Sequence, residues 1–249
     1  MKTFIITGAS RGLGAAIAEQ CLNKGDHCIL ISRIPHPELA EKAVMAGAKL
    51  SFIYMDLFDG SQLLPLIDKI LTELDEESDI YFINNAGVID PIKTVGNLEQ
   101  ENIEVSMRVN FMAPVVLADA FINRTKDWKQ KKVMVNISSG AAKNSYHGWA
   151  AYCSTKAGLE MFTRVAGLEQ EKESYPMTLI SFSPGVMDTQ MQETIRSADE
   201  KDFSDRSKFH AYKDKGLLRS PEFVAEKLLH LLEHTDLENG KFYELNRIL

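Results

Sequence analysis

The sequence predicts an α/β fold: a doubly wound, seven-stranded parallel sheet in three αβα layers. Two observations carry this. Seven short apolar runs, each bounded by turn residues, alternate along the 249 residues with longer segments of helical period. Strands alternating with helices imply βαβ crossovers, hence a parallel sheet covered on both faces. Secondly, the first run passes through a glycine-rich turn directly into a helical stretch, the order of elements that a phosphate-binding site requires.

The elements follow in order. Residues 3–7 form the first apolar run, Thr7-Gly8-Ala9-Ser10-Arg11-Gly12-Leu13-Gly14 the turn, and residues 15–22 the first helical stretch. Glycine lets the backbone turn tightly and approach a pyrophosphate with no Cβ in the way. The helix N-terminus adds unpaired N–H groups and the positive end of its dipole. This is the pattern of a Rossmann-type dinucleotide site. Further strands are expected at 28–32, 50–54, 80–83, 133–137, 178–182 and 241–245, with helices at 37–46, 63–74, 98–121, 152–170 and 221–232. Asn97 with Gln100, and Ser220-Pro221, read as helix starts. Pro114 should bend or break the fourth helical segment nearby. Residues 187–216 scatter Met187, Met191, Ile195, Phe203, Phe209 and Tyr212 among many charges, which suggests a helical excursion that covers a substrate. The whole of 1–249 is expected to form a single domain.

Composition narrows the function. An apolar share of 45% with 25% charged residues is that of a soluble globular protein. Thirty-five acidic against 28 basic side chains leave a net charge of −7, which argues against nucleic acid as a partner. Cys21, Cys28 and Cys153 have neither disulfide nor zinc spacing, and the six histidines form no ligand-like cluster, so no metal is expected. The apolar stretch before Gly8 is too short for a signal-peptide core. No apolar run approaches the ~18 residues of a membrane span. A cytoplasmic location without a membrane partner is the expectation.

A second constellation lies downstream. Ser138-Ser139-Gly140 ends a strand, where ligands sit in open α/β sheets. Tyr152 and Lys156 are four residues apart and share one helix face. A lysine ammonium near a phenol favours the phenolate and should lower the tyrosine pKa toward that of a working acid/base. Together with the glycine turn and Asn84-Asn85-Ala86-Gly87 after the fourth strand, these residues resemble the short-chain dehydrogenase/reductase family over essentially the whole chain.

The resemblance implies roles. Tyr152 corresponds to the catalytic acid/base, and Lys156 to the residue that lowers its pKa and binds the nicotinamide ribose. Ser139 lies 13 residues before Tyr152, at the family spacing, and would hydrogen-bond the substrate carbonyl. Ser138, its neighbour, should point to the opposite face. Asn110 matches an asparagine that holds a water for proton relay, which is compatible with a helix-kink role. Gly8, Ser10, Arg11, Gly12, Leu13 and Gly14 would border the phosphates, and Asp56-Leu57 the adenine. Asn84, Ala86 and Gly87 would line the groove. Val186 and Thr189, following Pro184-Gly185, would anchor the carboxamide.

An acidic residue at the end of the second strand would favour NAD. Ser32 and Arg33 stand there instead, and with Arg11 they suit a 2′-phosphate, so the expected cofactor is NADP(H). Tyr146, His147 and Trp149 fall between Ser139 and Tyr152. They favour a flat apolar ketone, with Tyr146, Trp149 and Met187 as substrate contacts and His147 as a wall residue. The text 137–158 and 183–191 is similar to the benzil-reductase branch of the family, itself similar to sepiapterin reductases, which implies an aromatic 1,2-diketone. The alternatives are a 3-oxoacyl-thioester or pterin reductase of the same family and, from another class, a non-catalytic NADP-binding regulator. The resemblance also implies a homodimer or homotetramer.

Overall fold

The computed structural model describes residues 2–75 and 77–248. Seven strands, β1 (Lys2–Thr7), β2 (His27–Ser32), β3 (Leu50–Tyr54), β4 (Asp79–Asn84), β5 (Lys132–Ile137), β6 (Thr178–Ser183) and β7 (Phe242–Glu244), pair in parallel in the order β3-β2-β1-β4-β5-β6-β7. The helices flanking the sheet are α1 (Gly12–Asn23), α2 (Pro37–Ala46), α3 (Leu63–Glu73), α4 (Gln100–Met107), α5 (Ala113–Thr125), α6 (Ala150–Gln170) and α9 (Pro221–His234). The excursion contributes α7 (Gln190–Ser197) and α8 (Arg206–Asp214), and α10 (Leu245–Ile248) closes the chain. The expected α/β class and its seven parallel strands are therefore what the chain forms.

Successive strand residues point to opposite faces, and both faces are covered. Phe4, Ile6, Leu30, Ile83, Val135 and Phe182 pack under α1 and α9. Their neighbours Ile5, Ile29, Phe82, Met134 and Leu179 pack under α3 and α5. Fully burying such a side chain stabilises the fold by about 1.5–3 kcal/mol, so the near-continuous apolar strands favour this layering strongly. The strand order reverses between β1 and β4, and the crevice at their carboxyl ends is where such folds bind ligands.

Two helix signals resolve differently. Ser220 caps α9 as expected, its hydroxyl accepting from the Phe223 N–H at 3.2 Å. Asn97 does not cap α4. Its side chain donates to the Thr94 hydroxyl at 2.9 Å within a tight turn, and the helix begins at Gln100 after Glu99. Pro114 does perturb its helix. A π turn, Arg108–Met112, joins α4 to α5 immediately before it, because proline has no N–H to continue the ladder. The stretch Gln100–Thr125 is long and apolar enough to cross a membrane by length and composition. In this fold it packs Ala113, Leu117 and Phe121 into the core.

Candidate active site

The glycine turn is set by backbone geometry. Gly8 and Gly12 have φ of 68° and 56°, in the left-handed region that favours glycine. A Cβ on Gly14 would stand 2.5 Å from the Gly8 carbonyl oxygen and 2.5 Å from the Asn85 amide nitrogen. The turn is tied to the loop after β4 through two motif residues to which sequence reasoning gave no role. Asn85 Nδ2 donates to the carbonyls of Thr7 (2.9 Å) and Gly8 (3.2 Å), and Thr7 Oγ1 accepts from the backbone N–H of Asn85 (3.0 Å) and Ala86 (3.1 Å). Asn85 is thus the clamp of the turn. Asn84 beside it reaches sideways, donating to Asn136 at 2.9 Å, its pairing partner on β5.

No side chain caps the start of α1 and no acidic residue occupies its first turn. Its first N–H groups are open to an anion, so the cradle fits a pyrophosphate. The Arg11 side chain hydrogen-bonds Gln190 at the start of α7, and a Cβ on Gly12 would lie 3.6 Å from Thr189 Cγ2. The turn therefore faces the segment expected to anchor the carboxamide. At the adenosine end, Ser32 Oγ donates to the Ile34 carbonyl at 2.6 Å. This hydroxyl proton is already committed, contrary to the expectation that it would serve a phosphate. Arg33 is 65% exposed and its nearest carboxylate, Asp56, is 3.6 Å away. Leu57 is buried beside it.

The second constellation assembles at the carboxyl ends of β5 and β6. Ser139 and Tyr152 line a cavity of about 250 Å³, together with Gly140, Tyr146, Trp149 and Gly185. Ser138 is buried off that cavity with its backbone N–H on the Phe182 carbonyl, as strand alternation requires. Lys156 Nζ donates to the Ile137 carbonyl at 2.8 Å and stands 5.7 Å from the centre of the Tyr152 ring. Asn110 sits in the π turn and grips the Val88 backbone twice, at 2.8 Å to its N–H and 2.8 Å to its carbonyl. Because Gly87 has no side chain, Asn110 and Lys156 both approach its backbone; a Cβ there would lie 3.4 Å and 3.8 Å from their polar atoms.

The electrostatics correct one expectation. The Tyr152 phenol is not lowered by its surroundings. Burial pushes it up to about 12, with the Ser139 hydroxyl pulling the other way. Burial likewise pulls the Lys156 ammonium down to about 8. Desolvation disfavours both charged forms, and the lysine is engaged with a carbonyl rather than with the phenol oxygen.

Aromatic rings make much of the remaining wall. Trp149 stacks on Phe203 at 5.0 Å, meets Tyr146 at 4.9 Å and Phe209 at 5.4 Å, and stands edge-on to Tyr152 at 5.6 Å. Phe203, buried behind the wall, and Phe209, on it, come from the excursion, which also brings Met191, Gln192, Ile195 and Tyr212 to the cavity. Gly148, at φ 78°, lets the excursion pack tightly: a Cβ there would fall 2.1 Å from the Asp202 carbonyl oxygen. Lys93 pairs with Asp202, and His147 Nδ1 accepts from the Ser204 N–H at 3.3 Å, so His147 faces the excursion and not the cavity. Met187 is also displaced from its expected role. It forms a parallel bridge with Arg219 and packs against the core, because the Asp188 and Arg219 backbone bonds turn the strap there. The C-terminal residues Glu244, Leu245 and Asn246 complete the cavity. No local motif marks them.

A glycine cradle at the β1/β4 crevice and a Ser–Tyr–Lys group at the ends of β5 and α6 define a dinucleotide-dependent oxidoreductase. Residues 2–200 match the model for short chain dehydrogenases, and the chain belongs to that family, whose members bind NAD or NADP. Among its relatives is a benzil reductase ((S)-benzoin forming) of Bacillus subtilis (strain 168), 45% identical over the full length of both chains. Another protein of that name, from Bacillus cereus, is 40% identical over 99% of this chain and 100% of its own. A short chain dehydrogenase/reductase of solved structure from Saccharomyces cerevisiae superposes with a TM-score of 0.81 at 25% identity, over 99% of this chain and 96% of that one.

Proposed function

We propose that this protein is an NADPH-dependent carbonyl reductase acting on one carbonyl of an aromatic 1,2-diketone, in the manner of benzil reduction to (S)-benzoin. The observation that carries the reading is the position of Tyr152 and Ser139 on the wall of an aromatic cavity beside the glycine cradle. The full-length likeness to two benzil reductases supports the substrate class.

Gly8, Ser10, Arg11, Gly12, Leu13 and Gly14 would hold the cofactor's phosphates, Asp56 and Leu57 the adenine, and Ala86, Gly87, Val186 and Thr189 the nicotinamide end. When bound, the reduced nicotinamide supplies a hydride to the carbonyl carbon. The chain's own residues manage the oxygen. Ser139 donates a hydrogen bond to it and Tyr152 gives it the proton, which yields the alcohol. Burial raises the phenol and so favours the protonated form from which Tyr152 would donate. The Lys156 ammonium does not touch the phenol oxygen, but its charge stands 5.7 Å from the Tyr152 ring centre and would favour the phenolate left behind. Asn110 holds the Val88 backbone so that the Gly87 groove stays open beside Lys156.

Arg33, exposed and loosely held by Asp56, is free to pair bidentately with a 2′-phosphate, which favours NADPH. The excursion at 187–216 covers the substrate, and the enzyme works in the cytoplasm as a dimer or tetramer. The test is a panel of benzil, diacetyl, sepiapterin and an acetoacetyl thioester, each assayed for sustained cofactor oxidation with NADPH and with NADH. Benzil with NADPH should give the highest kcat/KM. Cofactor binding without turnover of any of the four would defeat the reductase reading.

A further inference from the structure

Ser139 and Tyr152 serve the reacting carbonyl, yet the cavity wall carries two further polar groups with nothing to bond. Gln192 Oε1 and Trp149 Nε1 are both buried without a hydrogen-bond partner among the described residues. Gln192 is 6% exposed and Trp149 4%, and both line the cavity. An amide or indole polar atom in that condition destabilises the fold, and native proteins retain few of them without a functional reason. Gln192 is held in place in the first turn of α7, where its backbone N–H donates to the Thr189 carbonyl at 2.9 Å. By turning about its last bond, its amide can present either an acceptor or two N–H donors to the same point. The wall also carries Tyr146, Ser183, Tyr212 and Asn246, but none of these has a side-chain polar atom that is both buried and unpartnered.

A 1,2-diketone brings a second carbonyl oxygen into this space, an acceptor for which the Ser139 and Tyr152 hydroxyls are already spent. We propose that the Gln192 amide, together with the Trp149 indole N–H, receives the oxygen on the carbon adjacent to the reacting carbonyl, and so selects 1,2-dioxygenated ketones over simple ketones. This rests on the reading of the site as a diketone reductase and names the residue that makes it selective. A wall of hydrocarbon alone discriminates weakly between ketones of similar shape, whereas a site built to bond a second oxygen rejects the analogue that lacks it.

The experiment compares benzil with deoxybenzoin, which keeps both phenyl rings and one carbonyl, in the wild type and in Gln192→Met and Gln192→Leu. The ratio of kcat/KM for benzil to that for deoxybenzoin should fall about 10- to 100-fold in both variants, chiefly through the benzil KM. The KM for NADPH should not move, and Tm should hold or rise, because an unpaired buried amide has been removed. Calorimetric titration of benzil into the enzyme loaded with oxidised cofactor should show the same weakening without turnover, and deoxybenzoin should bind as before. Equal losses on both ketones would mean that Gln192 only shapes the wall, and a raised NADPH KM that it serves the cofactor; either overturns the proposal. A wild type that reduces benzil with a ratio the variants leave unmoved defeats this inference alone. A wild type that turns over neither ketone defeats the functional reading and this inference with it.

Discussion

The two halves of the crevice are built from different materials. Around β1 and β4 the surface is backbone, held in left-handed turns by Gly8 and Gly12 and clamped by Asn85 and Thr7. Around residues 139–152 and the excursion it is side chain, a contiguous group of rings from Tyr146 to Tyr212. Backbone shape binds what every dinucleotide shares and tolerates almost no change. A wall of rings is defined by volume and contact, so its specificity can be altered by substituting one side chain while the fold stands.

The largest effect should come where the halves meet. Tyr152→Phe removes the proposed proton donor but little of the packing, so turnover should fall about 10²- to 10⁴-fold while cofactor affinity is kept. Stopped-flow binding alongside steady-state rates measures both, and near-normal turnover would end the assignment. Next comes a matched pair of glycine substitutions. Gly14→Ala forces a Cβ to within 2.5 Å of the Gly8 carbonyl oxygen, and should cost about 2–3 kcal/mol of stability together with most of the NADPH affinity. Gly148→Ala forces a Cβ to 2.1 Å from the Asp202 carbonyl, and should push the excursion off the cavity. Its expected signature is a raised KM for the ketone with NADPH affinity unchanged. If both variants damage the same parameter, the two halves are not separable.

A third test concerns the opposite end of the sheet from the crevice. His27 begins β2, buried, and burial with the nearby Lys49 pulls its imidazole down to about 4 against an ordinary 6.5. Below pH 6.5 the unfolded chain takes up a proton that the folded protein refuses. The stability is whole above 6.5 and is lost as pH falls toward 4, by about 3 kcal/mol in all. Denaturant midpoints across that range should show the loss in the wild type and a flatter profile in His27→Gln; parallel profiles would remove His27 as the cause. The smallest effect is expected from Arg33→Asp, which should shift the NADPH to NADH preference about 10- to 100-fold by replacing an attraction to the 2′-phosphate with a repulsion. An unchanged ratio of kcat/KM would make Arg33 an ordinary surface residue.

Much of this was legible in the chain itself. The alternation of apolar runs and helical segments, the glycine spacing from Gly8 to Gly14 and the Tyr152–Lys156 interval are local regularities, and backbone sterics and helical period act within a few residues. They determined the α/β class, the seven strands in order and the positions of the cradle and of the Ser–Tyr–Lys group. Asn97 misled because a cap and a tight turn compete for the same short polar side chain, and Thr94 decided between them.

The tertiary structure decided what depends on neighbours far away in sequence. It packed Met187 against the core, tied the Ser32 hydroxyl to Ile34 and raised the Tyr152 phenol, because packing, hydrogen bonding and desolvation are set by everything that surrounds a group. It also brought Gln192 and Phe209 of the excursion and Asn246 of the C-terminal segment to one cavity. No period or motif links those positions; only the closing of the excursion and the C-terminus over the sheet places them together.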